Sequence, residues 1–146
     1  MNLNNLITAL MIVESSGNDM AIGDNGRALG PLQIHRGVVL DVNRITGSNY
    51  RHQDMTNRAA ARAVCQAYLE HSGRGKTTEQ QARIWNGGPT GDRKPVTLAY
   101  WRRVQKAIKW FYEAGRGKAR HGLAWPGRTT RHPVRQLGQF LKVGLG

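Results

Sequence analysis

Residues 3–34 read LNNLITALMIVESSGNDMAIGDNGRALGPLQI, and this stretch decides how the chain folds. Its first half is helical by periodicity. Leu3, Leu6, Ile7, Leu10 and Met11 fall at i, i+3, i+4, i+7 and i+8, one face of a 3.6-residue repeat. Asn4 or Asn5 is the expected N-cap, which sets the helix at about residues 5–15, and Gly17 is the expected left-handed stop. The next step of the same stripe, four residues after Leu10 and seven after Ile7, is Glu14. A carboxylate therefore leaves the core-facing side at the helix C-terminal end. The second half changes character: Gly17, Gly23, Gly26 and Gly30 break any helix, and Asp24-Asn25-Gly26 is a strong tight-turn signal. A small β-hairpin near residues 18–34 follows.

Beyond this stretch the pattern is helical again. Val38, Val39, Val42 and Ile45 mark a short second helix closed by Gly47. Asp54 is the expected cap of a third, with a small apolar stripe of Ala60, Ala63, Val64, Ala67, Tyr68 and His71 running to Gly73. Thr77 and Thr78, each with Gln three residues on, predict a capping box for a fourth that runs through about Trp85 and ends at Asn86-Gly87-Gly88-Pro89. A fifth, expected from about Thr97 to Ala114, carries Trp101, Val104, Ile108 and Phe111 on its apolar face. The predicted architecture is mainly α, an α+β fold with about five to seven helices and one small hairpin.

The composition of this 146-residue chain bounds what surrounds that frame. Lysine and arginine number 22 against 9 aspartates and glutamates, a formal net charge of +13, which favours polyanions: nucleic acid, anionic lipid or bacterial cell wall. The single cysteine, Cys65, excludes an internal disulfide, and no clustered thiols or histidines offer zinc spacing. No stretch reaches the roughly 18 apolar residues of a membrane span, and the first residues lack the cationic start of an export signal. The expectation is a soluble protein made in a bacterial or host cytoplasm. Two parts are expected: residues 1–114 as one globular domain and residues 115–146 as a basic tail. From Arg116 onward the tail holds seven cations and no acid. Pro133 could open a short amphipathic helix there, with Arg131, Arg135, Phe140 and Lys142 as candidate membrane or wall contacts.

Among candidate chemical groups, Glu14 stands apart. Glu70, Glu79 and Glu113 fit solvated helix faces or ends, whereas a carboxyl on an apolar stripe is costly unless it is protonated or paired. It is either a general acid poised to deliver a proton or one half of a salt bridge. Ten residues later Asp24 is either ordinary turn chemistry or the ionised partner of that acid. An acid in an apolar setting and a carboxylate in a polar loop form the pair that glycoside hydrolysis requires.

Val13-Glu14-Ser15, an Asp before Gly30-Pro31-Leu32-Gln33-Ile34, then Ala82-Arg83-Ile84-Trp85-Asn86-Gly87-Gly88-Pro89, and finally Tyr100-Trp101 with Val104, form an ordered set. In this order they resemble the motifs of invertebrate-type (destabilase-like) lysozymes. Glu-Ser followed by Gly-Pro-Leu-Gln-Ile is also similar to goose-type lysozymes and lytic transglycosylases. The resemblance implies a lysozyme-like fold and cleavage of peptidoglycan glycan strands without a cofactor. It also implies Glu14 as general acid, Asp24 as second carboxylate and Asn86 on the wall of the sugar cleft. Asp19 or Asp41 is the alternative partner. Two departures stand out: Leu29 precedes the Gly-Pro where Cys is usual, and Trp85 precedes Asn-Gly-Gly where His is usual. The first suits a reducing compartment, and a bacteriophage endolysin or bacterial enzyme is the simplest expectation.

Gln33 and His35, flanking the Gly-Pro loop, are candidate sugar hydrogen-bonders. Trp85, Tyr100 and Trp101 are candidate stacking rings, although the helical spacing of Trp101 favours a place in the core. Cys65 reads as a small buried hydrophobe, and Ser15-Ser16 has no partners for a triad. Peptidoglycan is the expected partner of a monomer, with anionic membrane or lipopolysaccharide as a second surface for the tail. Three other readings stand beside hydrolysis: a lytic transglycosylase using Glu14 alone; a basic nucleic-acid binder, for which no recognised motif is found; and a lysozyme-like scaffold that binds wall without catalysis, against which the presence of both Glu14 and Asp24 argues.

Overall fold

The computed structural model describes residues 1–115. The candidate attachment residues Arg131, Arg135, Phe140 and Lys142, and the tail helix with them, lie outside the described residues. Helix α1 spans Leu3–Ser15 and buries Leu6, Ile7, Ala9, Leu10, Met11 and Val13. Its cap is Asn2, whose side chain accepts from the Asn5 N–H at 2.9 Å, so the helix starts two residues before the expected position. An Asn side chain satisfies one of the first-turn donors that no carbonyl can reach. At the other end Ser16, not Gly17 alone, takes the left-handed conformation, and the Gly17 N–H closes on the Met11 carbonyl.

The expected hairpin forms and gains a third strand. Strands β1 (Ile22–Gly23), β2 (Ala28–Leu29) and β3 (Ile34–His35) pair antiparallel in the order β1-β2-β3. The short third strand was hidden in the Gly-Pro-Leu-Gln-Ile run, which has no alternation to announce it. Gly23 pairs with Ala28, and Ala28 with His35, so His35 lies two strands across from the residue preceding Asp24. The turn uses positive φ at Asp24 (49°), Asn25 (54°) and Gly26 (85°). Asp and Asn tolerate this region better than bulkier residues do.

Helix α2 (Arg36–Thr46) follows directly and ends on Gly47 as expected. A turn of 3-10 helix at His52–Thr56 then leads to α3 (Arg58–Ser72). Asp54 caps that 3-10 turn, bonding the Arg51 N–H at 2.7 Å, and Asn57 is the true cap of α3. The buried face of α3 is Ala61, Val64, Cys65, Tyr68 and Leu69, rotated from the expected alanine stripe; Ala63 and His71 are exposed. Larger side chains win the core because burial scales with apolar area.

Helix α4 (Thr78–Gly87) carries the expected Thr77–Gln80 capping box and runs two residues past Trp85. Two 3-10 turns, Gly91–Arg93 and Pro95–Thr97, lead into α5 (Leu98–Glu113). The centre of the α5 inner face is Tyr100, Val104 and Ala107, with Trp101 and Ile108 half-buried at its flank. Helix α1 packs on α5, α3 and α4, so the core closes around the helix that carries Glu14. Among the described residues five α-helices and one three-stranded sheet make the expected mainly α, α+β architecture. No helix among them is long and apolar enough to cross a membrane.

Candidate active site

Glu14 sits half-buried in the last turn of α1. The buried phenol of Tyr100, on α5, donates to its Oε1 at 2.8 Å. Burial and the neighbouring Glu14 carboxylate together hold the Tyr100 phenol well above its ordinary pKa. It therefore stays protonated at any working pH and serves only as a donor. Arg103, one turn further along α5, donates to the Val13 carbonyl at 3.0 Å and fixes the adjoining backbone. Tyr100 was a candidate stacking ring; with its face in the core, its hydroxyl instead positions the acid. An 86-residue separation between partners leaves no local signal from which that bond could be read.

Asp24 stands at the hairpin turn in a different setting. Its Oδ1 accepts from Arg27 at 3.0 Å and its Oδ2 lies 3.3 Å from Nε2 of His35. The sheet register brings His35 there, so that residue faces Asp24. Arg27 was missed, although a cation three residues after an acid is a readable pairing. The alternative partners are likewise paired with arginines: Asp19 with Arg58 at 2.8 Å and Asp41 with Arg44 at 3.5 Å on α2.

Three ties hold the two carboxylates in one framework. Ser15, next to Glu14, donates its hydroxyl to the Pro31 carbonyl at 2.8 Å and joins the end of α1 to the loop after β2. Gln33 is 6% exposed, and its amide donates to the Gly30 and Ala21 carbonyls at 3.0 and 3.2 Å. A Cβ on Gly23 would lie 2.1 Å from the Gln33 side-chain oxygen, so Gln33 braces the strand before Asp24. Its amide donors are spent inside the fold, and the expected contact with sugar gives way to a bracing role. Gly30 is required for a similar reason: at φ 79° a Cβ would come within 1.7 Å of the Met55 carbonyl oxygen.

The Asn86-Gly87-Gly88-Pro89 segment divides in the same way. Trp85 is fully buried, its ring edge-to-face with Tyr68 at 5.8 Å between centroids, and so cannot stack on a sugar. A Cβ on Gly87 would meet Thr97 at 2.6 Å, and Gly88 takes φ 84°. Packing and backbone conformation account for both glycines. Asn86 differs: it is half-buried, and its side chain makes no hydrogen bond among the described residues. Its amide is not used within the described part of the fold.

No protein-family model matches the chain. Among curated proteins it is similar to three oyster lysozymes. The lysozyme of Ostrea edulis is 36% identical over 85 residues, 56% of this chain and 62% of that protein. Lysozyme 1 of Crassostrea virginica is 38% identical over 86 residues, 56% of this chain and 45% of that protein. The lysozyme of Magallana gigas is 47% identical over 45 residues, 31% of this chain and 33% of that protein. The chain thus spans less than two thirds of the length of each of these relatives. Over 56% of its own length it is similar to the invertebrate-type lysozymes that its ordered motifs resemble.

Proposed function

We propose that the chain is a muramidase, hydrolysing the β-1,4 bond between N-acetylmuramic acid and N-acetylglucosamine in peptidoglycan. The observation that carries the proposal is the Tyr100–Glu14 hydrogen bond: the motif acid is gripped by a buried donor that cannot itself lose a proton under working conditions. With Oε1 held, the acidic proton resides on Oε2 and is delivered from there to the glycosidic oxygen. The C1–O bond breaks as that proton arrives, and positive charge builds on the anomeric carbon. Asp24 supplies the carboxylate that meets this charge. Water then adds its hydroxyl to C1 and returns the proton to Glu14, which restores the starting state.

The remaining features serve orientation. Asn86 offers its amide to the N-acetyl or hydroxyl groups of the glycan, while Gln33 and Gly23 keep the Asp24 arm in register. We read the physiological role as lysis of bacterial walls by an endolysin-like enzyme. A single buried cysteine suits manufacture in a reducing compartment, and a basic chain suits an anionic wall.

Mass spectrometry of the products released from purified peptidoglycan tests the proposal. Muropeptides with a reducing N-acetylmuramic acid end are expected. A 1,6-anhydro end would assign transglycosylation instead, and intact sacculi would remove glycan cleavage altogether.

A further inference from the structure

A cavity of about 620 Å³ opens beside the Asp24 arm, lined by Arg27, His35, Arg36, Leu40 and His52 with two glycines completing its wall. Its titratable lining groups are all bases; no carboxylate faces it. The charge of Arg27 is met by Asp24. That of Arg36 is not: this guanidinium is exposed and makes no ion pair or hydrogen bond among the described residues. It also sits at the first residue of α2, whose first turn contains no acid and whose N-terminus has no side-chain cap. A cation there meets the positive end of the helix dipole, an unfavourable placement that an anion in the cavity would reverse. His52 donates Nε2–H to the Ile34 carbonyl at 2.7 Å, which fixes its ring in the wall, and Leu40, 54% exposed, adds an apolar side. The volume falls within the range of small-ligand pockets, and Arg36 places on its wall a cation unpaired among the described residues.

We propose that this cavity is a carboxylate-binding subsite that takes the peptide side chain of the glycan strand. The choice of ligand rests on the muramidase reading above, whereas the anion site rests on the cavity itself. Arg27 and His35 touch Asp24 on one side and line the cavity on the other. A glycan with its scissile bond at Asp24 therefore brings the substituent of the adjoining muramic sugar within reach of Arg36. That substituent is a short peptide rich in free carboxylates, with alanine methyls suited to Leu40. Neutral N-acetylglucosamine oligomers have nothing to offer the site. The subsite thus selects peptide-bearing wall over bare chitin-like glycan.

The test is binding, followed by nuclear magnetic resonance on the full chain, with two probes: the N-acetylglucosamine–N-acetylmuramic acid disaccharide carrying its tetrapeptide, and the same disaccharide without it. The parent is expected to bind the peptide-bearing probe about tenfold more tightly, the scale of one charged hydrogen-bonding contact at a partly exposed site, with Arg36 and His52 resonances moving only for that probe. Arg36→Ala should abolish the preference and Arg36→Lys should keep part of it, and added salt should weaken it. Equal affinity for both probes in the parent, or equal loss for both in Arg36→Ala, overturns the proposal. So does inorganic phosphate that displaces the tetrapeptide at matched concentration, which would make the site one for phosphate groups. Selective peptide binding by a protein that releases no muropeptides would leave the subsite standing and remove the hydrolase reading.

Discussion

The end of α1 and the turn between β1 and β2 each present one carboxylate, and they hold it by opposite means. Glu14 leaves a helix whose inner face is core and is gripped by a neutral, buried phenol. Asp24 stands on a turn with left-handed backbone, between a guanidinium and an imidazole, with its side chain 22% exposed. A neutral donor orients a carboxyl group whether or not it carries a proton. A guanidinium orients a carboxylate through a charge-assisted hydrogen bond. On the proposed mechanism these surroundings suit one carboxyl group to giving a proton and the other to meeting charge, a difference built from neighbours rather than from residue type.

The sharpest way to break this contrast is Glu14→Gln. The amide keeps the shape and still accepts from Tyr100, yet has no proton to give, so a loss of lytic rate of about a thousandfold or more is expected with the far-ultraviolet spectrum unchanged. Parental rates in this variant would end the assignment. Asp24→Asn should cost less, about a hundredfold in kcat, because a polar group still faces the developing charge. If Asp24→Asn lyses normally while Asp19→Asn or Asp41→Asn does not, the arm has been given the wrong acid. Trp85→Leu should leave the specific activity of the folded protein intact while removing about 3 kcal/mol of stability, measured by urea unfolding. A large rise in KM without loss of stability would return that ring to the cleft.

The smallest effect sharpens the coupling at the Glu14 end. Burial and the Glu14 carboxylate both raise the phenol of Tyr100, so removing the carboxylate removes its upward push and leaves that of burial. In Glu14→Gln, Tyr100 should ionise at a lower pH than in the parent and still above an ordinary tyrosine, because burial remains. Difference absorbance near 295 nm during alkaline titration reports it, and an unchanged or higher midpoint would mean that the two groups do not interact in solution.

How much of this could be read from the chain depended on whether the signal was local. Glu14 was legible because a carboxylate interrupts an apolar stripe, and Asp24-Asn25-Gly26 because turn chemistry is written in three adjacent residues. The stripes of α3 and α5 were read slightly out of phase. Alanine counts as apolar in a periodicity argument but contributes little area, so Cys65 and Leu69 turned α3 toward themselves; on α5 the buried centre runs through Tyr100, Val104 and Ala107 and leaves the larger Trp101 and Ile108 at its flank. Gln33 and Trp85 looked like ligand groups because polar and aromatic side chains in a motif suggest contact with substrate. Their bonds to Gly30 and Ala21, and to the ring of Tyr68, exist only after distant segments have met. The partnership of Tyr100 with Glu14 belongs to the same class.

Cys65 is wholly inaccessible on α3, in the same buried cluster as Tyr100. As the sole thiol of the chain, it is a built-in clock for internal breathing: a thiol reagent can reach sulfur only while α3 stands away from its neighbours. Under fast-closing conditions the labelling rate measures the population of that opened form. The same parting would loosen the packing around the phenol that steadies the acid, so one chemical reaction at a residue with no part in catalysis counts how often the working geometry is lost.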